Sequence, residues 1–263
     1  MLAFAVVVSF ALLTAGIVFN SSLGGTTAPD PTSSPTERAT PTRSTEPAGA
    51  PTTAPPSGQR ASYCKVADQL TPYRSFDDYG RTYLDWTYTL PSTYAPPDLV
   101  PVSMAGFTGE GRANVVRAIV IDDLTALRAA AGAAGHQLAV LSAYRSYGTQ
   151  QATFAYWVNV GGYDQALRSS ARAGHSEHQL GTAIDFSSGG TSKPWENDDW
   201  ATTPPGKWLA QNAWRYGFVL SYPAGTENVT CYEYEPWHYR WVGRDEALAV
   251  LQSGLTLRAF LAR

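Results

Sequence analysis

Ser176-Glu177-His178-Gln179-Leu180-Gly181-Thr182-Ala183-Ile184-Asp185 is the stretch on which the reading of this chain turns. It holds a histidine and an aspartate with Gly181 between them, where the chain can fold back and bring both side chains to one point. Asp185 stands between Ile184 and Phe186 in what reads as an apolar strand. An unpaired carboxylate there would be costly, and a nearby cation would remove that cost. Fifty residues on comes Glu235-Pro236-Trp237-His238. Pro236 disfavours a helix, so this second segment reads as a loop entering a strand. Either segment alone is weak, since a lone histidine is more often a satisfied polar group than a ligand. Together they offer two imidazoles and one carboxylate for a metal, with a further carboxylate beside it. Three protein ligands would leave a fourth position open to water, which separates a catalytic zinc site from a closed structural one.

The pattern S-x-H-x-x-G-x-A-x-D followed by E-x-W-H resembles the zinc peptidases that include VanY-type D-alanyl-D-alanine carboxypeptidases, D-Ala-D-Ala dipeptidases, L,D-carboxypeptidases and some phage endolysins. A third segment of that family, S-x-Y-R-S-x-x-x-Q, is matched by Ser142-Ala143-Tyr144-Arg145-Ser146-Tyr147-Gly148-Thr149-Gln150. Tyr216-Gly217-Phe218 and the run from Tyr234 to Gly243 also look like VanY proteins, so the resemblance covers roughly Leu138 to Gly243. It implies that His178, Asp185 and His238 bind Zn2+, that Glu235 is the general base, and that Arg145 sits beside the substrate carbonyl. Ser176 and Gln150 become candidate contacts to the peptide. The bland alternatives are that Glu235 only orients a histidine and that Arg145 makes a surface ion pair. His175 and His136 match no ligand position and read as loop and surface residues. The implied substrate is a peptidoglycan stem peptide losing its terminal D-amino acid, with L,D-carboxypeptidase or endopeptidase activity as the near alternatives. A non-catalytic wall-binding module on the same fold is the reading from a different class, and the presence of Glu235 and Arg145 speaks against it.

Outward from these motifs, the pattern is α+β, and the resemblance implies the Hedgehog/D-Ala-D-Ala-peptidase-like form: a small antiparallel sheet with helices packed on it around a single zinc site. Asn114 to Ala134 has apolar residues at helical spacing and predicts one or two helices stopped at Gly135. Leu138 to Ser142 predicts a buried strand. Thr149 to Val160 and Tyr163 to Arg172 predict helices on either side of Gly161-Gly162. Thr182 to Ser187 predicts a strand, Pro204 to Tyr216 a helix opened by prolines and closed by Gly217. Phe218 to Ser221 and Trp237 to Val242 predict strands, and Asp245 to Ser253 a last helix. Tyr63 to Pro97 lacks a clear period and reads as extended pieces wrapping the surface.

One domain is expected over residues 61–263, as a monomer. A net charge of −3 leaves no electrostatic footprint for nucleic acid. Met1 to Phe19 is apolar and without charge, of a length that suits a membrane anchor, with a cleaved secretory signal as the rival reading. Residues 21–60, rich in Pro, Thr and Ser, read as a disordered linker that would hold the domain away from the membrane. Both readings of the first segment imply an extracytoplasmic location. The two cysteines, Cys64 and Cys231, are then most simply a disulfide, with free thiols or Cys231 as a metal ligand left as alternatives.

Overall fold

The structure, a computed structural model, describes residues 64–107, 114–188, 194 and 200–263. The expected anchor or signal segment and the expected linker lie outside those residues. Among the described residues no helix is long and apolar enough to cross a membrane.

The chain enters along a wrapping segment, as its lack of period suggested. β1 (Gln69–Leu70) pairs in parallel with β2 (Tyr88–Thr89). Between them a 3-10 turn over Phe76–Gly80 is closed at its start by Ser75, whose backbone N–H and hydroxyl both donate to the Asp78 carboxylate, at 3.0 and 2.9 Å. β3 (Leu99–Pro101) then pairs antiparallel with β4 (Val115–Arg117).

That last strand corrects the expectation of a helix from Asn114 onward. Val115 and Val116 are β-branched and stiff at χ1, which suits a strand better than a helix. Val116 is fully buried, and the Asn114 amide donates to the Val140 carbonyl at 3.0 Å. The helix begins only after a further 3-10 turn, as α1 (Ile121–Ala133). Asp122 and Asp123 lie in its first turn, where negative charge complements the helix dipole. Gly135, at φ +83°, lets the chain turn away just beyond it.

β5 (Leu138–Ser142) runs as its sequence predicts. α2 (Tyr147–Gly161) starts at Ser146, whose hydroxyl accepts the Thr149 N–H at 3.2 Å. α3 (Tyr163–Ser169) is shorter than expected. The chain becomes extended at Ser170, and Arg172 is drawn away onto the Asp68 carboxylate and the carbonyls of Ala67 and Trp86. β6 (Ala183–Ser188) follows, then α4 (Pro204–Asn212), whose N-terminus is capped by Thr203. The last elements are β7 (Phe218–Leu220), the short α5 (Glu227–Thr230), β8 (His238–Trp241), α6 (Arg244–Ser253) and α7 (Leu257–Leu261). α7 is too short for its apolar period to be read from sequence.

The main sheet is antiparallel throughout, in the order β5-β6-β8-β7. Successive side chains of a strand point to opposite faces. Ile184 and Phe186 of β6 and Tyr239 and Trp241 of β8 therefore face one way, into a core with Leu124 and Leu127 of α1 and Leu209 of α4. Asp185, His238 and Arg240 face the other way. The wrapping segment reaches Arg240 there, which donates to the carbonyls of Tyr79 and Thr82.

Cys64 and Cys231 form a disulfide with a Cα–Cα distance of 5.2 Å. This removes both alternatives for Cys231, a free thiol and a metal ligand. Cys231 caps α5 in the left-handed region at φ +70°, the one non-glycine residue there among the described residues.

Candidate metal centre

The sheet register builds half of the site. Asp185 lies directly opposite His238 in the β6–β8 ladder. Phe186 donates to the Trp237 carbonyl and Trp241 to the Thr182 carbonyl, each at 2.9 Å. The alternation of an antiparallel ladder thus leaves Asp185 and His238 as a pair without mutual backbone bonds, the closer kind, about 4.5 Å between Cα atoms. His238 Nδ1 sits 2.9 Å from Asp185 Oδ1. Between Val140 and Ser142 the β5–β6 register shifts at a bulge, beside Asp185.

His178 arrives from a separate element. Ser176 Oγ accepts the His178 N–H at 3.3 Å and starts a 3-10 turn over Glu177–Leu180. Gly181, at φ +73°, ends that turn and sends the chain into β6. An added Cβ at Gly181 would come within 2.9 Å of Arg117 Cγ and 3.0 Å of Leu99 Cδ2, so the position needs glycine on both counts. The turn sets His178 Nε2 at 3.2 Å from Asp185 Oδ2. One ligand atom from each of His178, Asp185 and His238 lies within 4.8 Å of the other two, and all three side chains are buried.

Each imidazole is anchored through its other nitrogen. His178 Nδ1 meets the Ala143 carbonyl at 2.6 Å, and a carbonyl can only accept. The proton is therefore on Nδ1, and Nε2 keeps its lone pair, buried without a hydrogen-bond partner. A cation would satisfy it. Two imidazole nitrogens and a carboxylate oxygen form a donor set that fits a divalent transition metal.

Glu235 precedes His238 by one turn, and its backbone N–H is held by the Tyr222 carbonyl at 3.1 Å. Its Oε2 lies 3.8 Å from His238 Nδ1, and the side chain keeps 18% exposure, enough for solvent contact. Burial raises its pKa to about 7, with the Asp185 carboxylate adding to the rise and His238 and Arg145 opposing it. Burial followed by the Arg145 charge lowers His178 to about 4, and the Asp185 carboxylate opposes them. Burial pushes the Asp185 carboxyl up, but His178 and His238 outweigh it and hold the group ionised. Burial would lower His238 too, yet its hydrogen bonds to Asp185 and Glu177 raise it to about 10. Two carboxylates, Asp185 and Glu177, thus flank His238, one on each ring nitrogen.

The other candidates fall around this cluster. Arg145 is half-buried, and its backbone N–H donates to the His178 carbonyl at 3.2 Å. Its charge acts on both His178 and Glu235. Gln150 is fully buried on α2, its amide donating to the Ala171 carbonyl at 2.6 Å while Oε1 has no hydrogen-bond partner. Ser176 is buried as the cap of the ligand turn. His175 stays outside the metal group, as expected, but it is buried, with Nδ1 2.6 Å from the Asp85 carbonyl and Nε2 3.0 Å from Asp68 Oδ1. His136 is part-buried, its ring 6.2 Å from that of Trp208.

Two residues that sequence reasoning missed are Glu177 and Arg240. Glu177 Oε2 meets His238 Nε2 at 3.0 Å and accepts the Ser221 hydroxyl at 2.6 Å, and Oε1 accepts from Arg240 Nη1 at 3.0 Å. The available signal was the His-Tyr-Arg-Trp alternation of β8. The strand period of two puts Arg240 on the face of His238, where a buried cation must find an anion.

The VanY description, D-alanyl-D-alanine carboxypeptidase, matches residues 113–244. The chain belongs to the VanY family. It is 39% identical over 178 residues to YodJ of Bacillus subtilis (strain 168), named as a carboxypeptidase, covering 67% of this chain and 64% of YodJ. The chain thus spans just under two thirds of that relative's length. Among solved structures, the LdcB LD-carboxypeptidase superposes with a TM-score of 0.63 at 32% identity, over 75% of this chain and 98% of LdcB. A vancomycin-resistance D,D-pentapeptidase VanY solved with Zn(II) superposes with a TM-score of 0.57 at 27% identity, over 70% of this chain and 99% of its own. The fold of these VanY-family structures, helices on a small antiparallel sheet, is the α+β class expected from the sequence.

Proposed function

We propose that this chain is a zinc-dependent carboxypeptidase that removes the terminal D-amino acid from peptidoglycan stem peptides, with D-Ala-D-Ala termini as the preferred substrate. The observation that carries the reading is the convergence of His178, Asp185 and His238 on one point with the Glu235 carboxylate 3.8 Å from a ligand nitrogen. That is a metal site with a base beside it. The zinc-bound VanY relative supports the choice of metal.

Zinc held there would lower the pKa of a water and polarise the scissile carbonyl. Glu235, with a pKa raised to about 7, is matched to taking a proton from the attacking water and returning it to the leaving amine. Arg145 holds a permanent charge beside the base and is suited to stabilising the oxyanion. Ser176 and Gln150 remain proposed peptide contacts, but both side chains are buried and engaged, Ser176 on the His178 N–H and Gln150 on the Ala171 carbonyl. The paired cysteines favour an oxidising compartment outside the cytoplasm, to which the apolar Met1–Phe19 run would direct the chain.

A second reading, L,D-carboxypeptidase, is favoured by the LdcB superposition. Purified protein incubated with a pentapeptide ending in D-Ala-D-Ala and with a tetrapeptide ending in one D-Ala, followed by mass spectrometry, separates the two. Loss of one residue from the pentapeptide supports the main reading, and loss from the tetrapeptide alone supports the second. Cleavage of either that survives a chelator would sink the zinc mechanism.

A further inference from the structure

Glu177 is a buried carboxylate at the first residue of the ligand turn, next to His178 in sequence but facing His238 in space. Burial works against its charge, but the equally buried guanidinium of Arg240, 3.0 Å from Oε1, compensates it. Three donors account for its two oxygens: Ser221 and His238 on Oε2, Arg240 on Oε1. An ionised carboxylate can only accept. The nitrogen facing it, His238 Nε2, must then carry a proton, which leaves Nδ1 as the atom turned toward Asp185.

The two imidazoles are thus turned in opposite senses by two different acceptors. A backbone carbonyl, that of Ala143, takes the Nδ1 proton of His178, and a side chain, Glu177, takes the Nε2 proton of His238, so that Nδ1, 2.9 Å from Asp185, is the nitrogen that would give up its proton to a metal. We propose that Glu177 is a positioning residue for the metal centre: held by Arg240 and Ser221, it locks His238 in the ring orientation and tautomer that present Nδ1 to the metal. A carboxylate behind a ligand histidine also raises its basicity, and losing such a partner commonly weakens metal affinity by about 10–100-fold.

The arrangement reaches beyond the matched family region of residues 113–244. Arg240 is itself held by the carbonyls of Tyr79 and Thr82 in the wrapping segment. A chain of contacts therefore runs from that segment through Arg240 and Glu177 to His238. The wrapping segment serves the metal ligand as well as the core.

This inference rests on the zinc reading, and the test separates the two. Zinc affinity of the full chain is measured by chelator competition for the wild type, Glu177→Gln and the double variant Glu177→Gln/Arg240→Met. The double variant removes both buried charges together, so that no uncompensated guanidinium confounds folding. Affinity is expected to fall about 10–100-fold in both variants, with the cobalt(II)-substituted absorption spectrum altered. A double variant that folds and binds zinc as tightly as the wild type, with an unchanged cobalt spectrum, overturns the proposal and leaves Glu177 as a counter-charge for Arg240. Should the variants not fold, nitrogen-15 NMR of the zinc-loaded wild type decides. A proton on His238 Nε2 supports the assignment, and metal on Nε2 with a protonated Nδ1 overturns it. A wild type that binds no zinc overturns the zinc reading and this inference with it.

Discussion

The backbone carbonyl of Glu235 accepts the N–H of His238 at 3.0 Å, so the carboxylate proposed as base and one proposed metal ligand share a single turn at the entry to β8. Pro236 forces that turn by excluding a helix. The proposed base is thereby tied to the ligand it would serve. Glu235→Gln keeps the size and the turn but cannot accept a proton. It is expected to retain one equivalent of zinc by elemental analysis while turnover of a D-Ala-D-Ala pentapeptide falls about 10²–10⁴-fold. Near-normal turnover would reassign Glu235 as a residue that merely orients its neighbour.

Removing the metal tests the ligand set as a whole. Zinc that binds only the folded chain adds stability by mass action, about 2.7 kcal/mol at a free concentration 100 times the dissociation constant. Addition of a strong chelator is expected to lower the melting temperature of the wild type and to leave His178→Ala unmoved, because that variant no longer holds metal. Equal zinc content in the two proteins would exclude His178 from the set.

The disulfide closes a separation of 167 residues and ties the start of the described chain to the segment leading into Glu235. Restricting the unfolded state over so long a loop corresponds to about 5 kcal/mol in the chain-entropy model, an upper figure, with about 2–4 kcal/mol typical of measurement. Urea unfolding of the Cys64→Ser/Cys231→Ser double variant should show that loss. A midpoint shared with the oxidised wild type would mean that the bridge contributes nothing to stability.

Gly181 joins the ligand turn to the ligand strand. Alanine there meets both a left-handed backbone and the side chains of Arg117 and Leu99. Gly181→Ala is expected to cost about 1–2 kcal/mol from the backbone alone, and to weaken zinc binding because His178 and Asp185 shift relative to each other. Calorimetry and chelator competition on the same variant read the two effects, and a loss of stability with unchanged affinity would show that the turn yields without disturbing the site.

Much of the architecture follows from local pattern. The strand at Leu138–Ser142, the helices on either side of Gly161-Gly162 and the proline-opened helix at Pro204 form where propensity, capping and breaker residues agree. The exceptions have local causes. The helix expected from Asn114 gave way to a strand because Val115 and Val116 found a partner in Leu99–Pro101, a pairing that periodicity in one segment cannot show. α7 is one turn and a fraction, held by a Thr256 cap and by the burial of Leu257, and carries too few residues for a period.

The sequence by itself determined which side chains are available for chemistry: the motif spacing named His178, Asp185, His238 and Glu235, and Gly181 and Pro236 dictated turns near them. Only the tertiary structure decided which atoms of those side chains meet. The β6–β8 register puts Asp185 opposite His238, and a slip of one residue would have sent one of them into the core. The roles of Glu177 and Arg240 belong to the same class. A charged residue becomes a partner through burial beside a specific opposite charge, and burial is a property of the packed molecule that no single stretch of chain contains.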